Sequence, residues 1–421
     1  MQEAARMLTA LTVAAVGLAG GGTASAQTYD DGSSPYEIPA SVSSHFYDIG
    51  VTQVPTAAGA PYVTALTGSS VLSLNWDFAV TATDVSTQTS TSLGNLGVPS
   101  GARITDFQYF PEWPATASTA PVYVSYSLFD ASSNCYYLVM KAAQIDLTGA
   151  GNNSLGRTWF TSPCFPSTGY GDDTLKRAGG RIAPVPIGMR TKAKAPEFFL
   201  GVGDFYATKP YSISMSKAAR QTLSTIVRIT APGKYGVWTK GVRNPQGLVS
   251  GRVDGKPQVL GTSQGPRGGD ELYRVSEGAD YGWPHRSYGT AYGPNDVPDS
   301  PDVEGTKRGY DEPLFAWTPS IGLSTMMQVQ GPAFQQWWGA RKNGTPDVLV
   351  SGLASRELYR VRMSQGAVRG VEALPIGARV RSLTQLPSGA IVAGLDEGSE
   401  VLVLQPTAAW STPAGGLVPV G

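Results

Sequence analysis

The chain has 421 residues, 15% of them charged, with Lys+Arg 32 matching Asp+Glu 32 for a formal net charge of +0. That balance leaves no basic footprint for nucleic acid and no acidic tail. The 51 glycines and 31 prolines indicate many turns and short strands rather than long helices.

Residues 1–26 read as a signal peptide: one arginine (Arg6), an apolar run of h-region length, and a small-x-small site at Ala24-Ser25-Ala26. Cleavage is expected after Ala26, which makes the protein secreted or periplasmic. Glu3 offsets Arg6, so an uncleaved anchor is the alternative. No later run is long enough to span a bilayer. Residues 27–60 stay unassigned.

Strand patterns begin at 69–85 and continue at 120–147. From there, apolar runs that end at glycine recur at 196–204, 256–265, 346–355 and 388–398, most followed after a short polar gap by a second run: STIVRIT, DELYRV, RELYRVRM and SEVLVLQP. A repeated strand–turn–strand unit that cannot bury its own faces is the signature of a β-propeller. The count over 61–406 gives an all-β chain of six blades, although spacing alone does not separate six from seven. Segments 149–178 and 285–312 read as long insertions, and 407–421 as a flexible tail. Cys135 and Cys164 are the only cysteines. In an exported chain they could close one disulfide, stabilising by roughly 3–4 kcal/mol in the loop-entropy account; two free thiols are the alternative. No CxxC, HExxH or Walker loop is present, which removes zinc sites and P-loop NTPases.

Two blocks carry the functional signal. Arg243, Asn244 and Gln246 offer a planar fork and amide groups within four positions, a set that grips several carboxylates. Gly265-Pro266 supplies two turn carbonyls, hard oxygen ligands that suit Ca²⁺. Arg379 and Arg381 share one face of a strand and repel unless an anion lies between them.

These blocks resemble the soluble quinoprotein glucose/sorbosone dehydrogenases, the PQQ-dependent aldose sugar dehydrogenases, over residues 170–405. The resemblance implies a six-bladed propeller that oxidises the CH–OH group of aldoses or related alcohols and passes electrons to an acceptor. PQQ would be held by Arg243, Asn244, Gln246, Tyr292, Arg379 and Arg381, and a catalytic Ca²⁺ by Gly265 and Pro266. A second, structural Ca²⁺ site is implied at Glu271, the Tyr281 carbonyl and Glu312, where an ordinary surface carboxylate at 312 is the competing reading.

The departures bear on catalysis. Where the family has H-x-G-G-R, whose histidine takes the hydroxyl proton, this chain reads Arg177-Ala178-Gly179-Gly180-Arg181. A guanidinium does not lose its proton at working pH and cannot be that base. Asp204 matches the acidic residue that orients the family's histidine, so an Arg177–Asp204 ion pair is expected, and the neighbouring cation weakens Asp204 as a substitute base. Asp172 and Asp173 are other candidates. Ala354 stands where a family lysine does, and the early glutamine block has its nearest counterpart in SGARITDF (100–107). The two histidines, His45 and His285, read as surface residues. A catalytically impaired propeller that binds a ligand, glycan or protein is therefore the alternative to an oxidoreductase.

Overall fold

Six antiparallel sheets stand around one axis. The computed structural model describes residues 42–44, 49–56, 59–167, 170–192, 195–207, 215–292, 309–331 and 346–406. The segment 1–26 expected to be a signal peptide, His45 and the tail 407–421 lie outside them. The first blade runs Tyr62–Ala65, Ser70–Leu74, Ala79–Asp84, Thr89–Asn95, and the second Arg103–Gln108, Thr119–Asp130, Cys135–Asp146, Ser154–Thr161. The third is Gly179–Pro184, Phe198–Val202, Thr225–Ala231, Lys234–Lys240; the fourth Pro245–Val253, Lys256–Ser263, Asp270–Arg274, Phe315–Trp317. The fifth is Leu323–Gln328, Val348–Gly352, Glu357–Ser364, Ala367–Pro375. The sixth begins Val380–Gln385, Ile391–Leu395, Glu400–Pro406 and is completed by Ile49–Pro55 from the other end of the chain, with Val42–Ser44 at its edge. The segment 27–60, unassigned from sequence, thus supplies the strand that closes the ring.

The paired apolar runs are the second and third strands of each blade. These lie mid-sheet between neighbouring blades, so Phe198–Val202, Val348–Gly352 and Ile391–Leu395 are buried along their whole length and read as continuous apolar stretches. Six hydrophobic clusters fill the six spaces between adjacent blades, which is how sheets that cannot bury both faces alone become one core. One correction concerns 149–178: it is no long loop, because Ser154–Thr161 is the outer strand of the second blade and Gly171–Arg177 is a 3-10 helix. Cys135 and Cys164 form a disulfide, Cα–Cα 5.2 Å.

The first strand of each blade is innermost and packs on its counterparts around the axis. Arg181 fills that axis. Its Nε donates to Gln246 O (2.7 Å), Nη1 pairs with Asp106 Oδ1 (3.2 Å), and Nη2 donates to Arg381 O (2.7 Å) and Ser324 Oγ (3.4 Å). Its guanidinium also lies 5.3 Å from the Tyr62 ring centroid. One side chain from the third blade therefore touches the inner strands of the other five.

Candidate functional site

The start of each inner strand faces one end of the propeller, and arginines cluster there. Arg103 opens the inner strand of the second blade, Arg177 and Arg243 lie just before those of the third and fourth, and Arg379 and Arg381 flank the first residue of the sixth. Local backbone demands explain part of this. Gly180 sits at φ 94° with Thr105 Oγ1 where a Cβ would fall, so the arginine preceding the glycine pair is held tightly against the second blade.

Arg243 is 7% exposed. Its Nη1 donates to Gln264 O at 3.2 Å and to Gly265 O, while its Nε is buried with no partner. Among the described residues it forms no ion pair. Burial, and then the neighbouring Arg177, push its pKa down to about 10. A buried guanidinium without counter-charge is costly unless an anion arrives. Trp283 lies 5.3 Å from this guanidinium, and Tyr292, 56% exposed, carries Arg267 over its ring at 5.8 Å. The cleft behind Arg243, lined by Ser263, Gln264, Gly265, Glu271 and Trp283, holds only about 10 Å³, room for one water. An organic ligand does not fit in that cleft. A larger groove of about 800 Å³ opens on the other side of Trp283, between Lys240, His285 and Tyr310.

The amides of the same motif are turned inward. Asn244 Oδ1 accepts from Gly179 N (3.1 Å) and Gln246 Nε2 (3.0 Å), and its Nδ2 donates to Gln264 Oε1 (3.1 Å). Asn244 braces the third blade against the fourth, and in this arrangement its amide is bonded within the protein.

At the base position, Arg177 is buried and its Nη2 pairs with Asp204 Oδ2. Asp204 Oδ1 accepts from Tyr206 N (3.2 Å). Phe205 and Tyr206 adopt φ 48° and 55°, a left-handed pair that is costly for non-glycine residues and lays the Tyr206 ring 3.9 Å from the Arg177 guanidinium. The Arg177 Nε has no partner. Asp173 is exposed and bonded to Lys176 (2.6 Å), which holds its carboxyl below its ordinary value; it is poorly suited to accept a proton.

Arg379 and Arg381 do converge on an anion, and it is the chain's own. Asp396 Oδ2 lies 3.0 Å from Arg379 Nη2, and Oδ1 lies 2.7 Å from Arg381 Nη2. Burial alone would raise the Asp396 pKa, but Arg381 and Arg379 outweigh it and the carboxyl is held low. These two arginines thus share one internal carboxylate, and Arg379 also pairs with Glu397 (3.3 Å).

At the first expected cation site both carbonyls already accept hydrogen bonds in this arrangement. The Gly265 carbonyl accepts from Arg243 and the Pro266 carbonyl from Ser320 Oγ (3.4 Å), so Ca²⁺ at that pair would have to displace a guanidinium. Glu271 is buried opposite Ala316, whereas Glu312 is exposed and its Oε2 accepts from Tyr288 Oη. Tyr281 donates its Oη to Arg274 O (2.8 Å). Among the described residues no three His, Cys, Asp or Glu side chains gather as a metal site.

Sequence reasoning missed Asp396, Arg103 and Trp76. Arg103 lies over the Trp76 indole at 4.5 Å and Arg381 at 5.7 Å from the same ring. The available signal was positional, since Arg103 stands at the same point of its blade as Arg177 and Arg243 do in theirs.

Comparison with known proteins matches residues 190–404 to the model of the Glucose / Sorbosone dehydrogenase family. An uncharacterized protein of Synechocystis sp. is 32% identical over 169 residues, 40% of this chain and 38% of that one. Aldose sugar dehydrogenase YliI of Escherichia coli is 27% identical over 175 residues, 40% of this chain and 44% of the relative. The match thus spans less than half the length of these curated relatives. Among solved structures, a glucose dehydrogenase superposes with TM-score 0.67 at 22% identity, covering 85% of this chain and 99% of that one. The PQQ-bound form of aldose sugar dehydrogenase from Streptomyces coelicolor superposes with TM-score 0.58 at 21% identity, over 85% and 98%. At these identities the structures speak to the fold.

Proposed function

The chain belongs to the glucose/sorbosone dehydrogenase family, and on that footing we propose that it is a sugar-dehydrogenase-type oxidoreductase whose cationic mouth holds PQQ, acting on an aldose or related alcohol with a separate electron acceptor. The observation that supports this most is Arg243: buried, with its pKa depressed to about 10, and without a carboxylate partner among the described residues. A planar polycarboxylate is the kind of guest that meets this need, so the residues present fit the anionic part of the cofactor. When bound, such a quinone accepts hydride from the alcohol carbon.

The chain's own residues divide the remaining work. Arg243 holds a carboxylate, with Trp283 and Tyr292 flanking it. Arg177 cannot take the hydroxyl proton; it fixes Asp204, the buried carboxylate on that side of the mouth, and Asp204 is the group left to receive the proton. The Gly265 and Pro266 carbonyls do not fit Ca²⁺ while they accept from Arg243 and Ser320, so no step is assigned to calcium. The signal-like pattern expected at 1–26 supports a place outside the cytoplasm.

A second reading, an anion-binding propeller without turnover, is favoured by the Arg177–Asp204 pair at the base position. Titration of the mature protein with PQQ, with and without CaCl₂, followed by dye reduction on adding aldoses, separates the two. Binding with reduction supports the oxidoreductase, and binding without reduction on any aldose supports the second reading. Failure of the wild type to bind PQQ, or full binding by Arg243→Ala, rejects both.

A further inference from the structure

We propose that Arg103, laid flat on Trp76, is a second ligand-binding residue of the mouth, gripping a carboxylate of the same planar anion that Arg243 holds across the third blade. The proposal rests on the anion-site reading above and adds to it a subsite built from the first and second blades.

Arg103 is half-buried and, among the described residues, makes no ion pair. Burial lowers its pKa, and the adjacent Arg381 lowers it further. The carboxylate nearest in that corner, Asp396, is committed to Arg379 and Arg381. Asp172, the other carboxylate it senses, is exposed in the 3-10 helix and makes no ion pair with it. Arg103 is thus the counterpart of Arg243: a guanidinium at the start of an inner strand, taken partly out of water and not neutralised.

Its posture is what a carboxylate receptor needs. The guanidinium face covers the indole at 4.5 Å, an interaction that uses the π-face and leaves the N–H donors at the edge of the fork available. The platform is itself fixed. Trp76 Nε1 donates to Asp396 O (3.3 Å), its ring meets Tyr62 edge to face at 5.5 Å, and Tyr62 Oη donates to Ile104 O (3.2 Å). Three blades therefore pre-orient one cation, which reduces the ordering cost of binding.

The test measures binding rather than turnover, with two probes: PQQ, and benzene-1,3,5-tricarboxylate as a planar tricarboxylate without a quinone. Loss of one charge-assisted contact predicts that Arg103→Ala weakens both probes about 10-fold or more and flattens the salt dependence of Kd, with its melting temperature kept near wild type. Arg103→Lys keeps charge without the fork and falls between. Trp76→Phe should weaken binding less than Arg103→Ala and reduce the quenching of tryptophan fluorescence by PQQ. If Arg103→Ala does not fold, Arg103→Gln carries the same expectation. Arg103→Ala or Arg103→Gln binding both probes within twofold of wild type, while Arg243→Ala has lost them, overturns the subsite and leaves the anion site standing. A wild type that binds neither probe overturns both.

Discussion

At position 177 a guanidinium occupies the place where the proposed proton transfer calls for a group that titrates near neutrality. Its pairing with Asp204 means that an imidazole put there would meet a ready-made carboxylate partner, which favours the correct tautomer and orientation. Arg177→His should therefore raise aldose-driven dye reduction on the order of 10²-fold, with activity rising through a pH of about 6.5 or above as the imidazole loses its proton. No gain at any pH would mean that the mouth does not bring substrate to that side. Arg243 gives a second pH signature of opposite sign. Its pKa of about 10 in the folded protein lies below the free value, so the charged form disfavours the folded state at neutral pH, and that penalty fades as pH rises through about 10. A bound anion offsets the same penalty. PQQ should thus raise the melting temperature at pH 7, and its affinity should fall above pH of about 10; affinity unchanged to pH 11 would show that Arg243 does not hold the anion. Arg243 stood out as a candidate anion ligand because its motif packs arginine and amides within four positions. The inward turn of Asn244 was not legible there, because its partners, Gly179 and Gln264, come from another blade and another strand.

The sixth blade shows how a strand pattern can be read correctly and its partner missed. The alternation at 379 and 381 does bring both guanidinia together, but the anion between them comes from the turn after Ile391–Leu395, where Asp396 N donates to Arg379 O. Nothing in the local spacing marks an aspartate fifteen positions away as their counter-ion; only hairpin register does. Asp396→Asn should have two opposed effects. It leaves Arg381 without its carboxylate and Arg379 with only the exposed Glu397 (3.3 Å), at a cost of roughly 3 kcal/mol, and it frees Arg381 for an external anion, so stability falls while PQQ affinity rises. A variant that binds PQQ no tighter would place these arginines outside the ligand's reach. The wild-type carboxyl is held below its unfolded value, so its contribution is complete above a pH of about 4 and is lost as pH falls through its lowered pKa; the asparagine variant should lack this part of the acid limb. The same reasoning explains which strands the sequence displayed. Mid-sheet strands such as Phe198–Val202 are buried throughout and stand out as apolar runs. The inner strands carry register shifts near their starts and polar residues turned to the axis, so their hydrophobic signal is weak where the site residues lie.

Closure of the ring depends on two long-range devices, the strand Ile49–Pro55 paired to Glu400–Pro406 and the single side chain of Arg181 at the centre. Both join residues remote in sequence, which is why repeat spacing left the blade number open. Arg181 is 2% exposed, and its charge is met by Asp106, whose Oδ2 also accepts from Ile182 N (2.8 Å). Because its other donors go to the backbone of Gln246 and Arg381, it holds the fourth and sixth blades at a set distance from the third, and with them the mouth arginines that begin those strands. Arg181→Met keeps the length of the side chain but strands a buried aspartate and two carbonyls, a loss of roughly 3–5 kcal/mol, equivalent to a melting temperature lower by roughly 4–6 °C. Removing the orphaned charge as well, in Arg181→Met/Asp106→Asn, should recover part of that loss, since the penalty belongs largely to the unpaired carboxylate. If the axis only fills space, the single variant melts within about 2 °C of wild type and the double variant recovers nothing. If it sets the geometry of the mouth, the double variant regains stability while PQQ affinity stays reduced, because neither methionine nor asparagine restores the hydrogen bonds to the fourth and sixth blades.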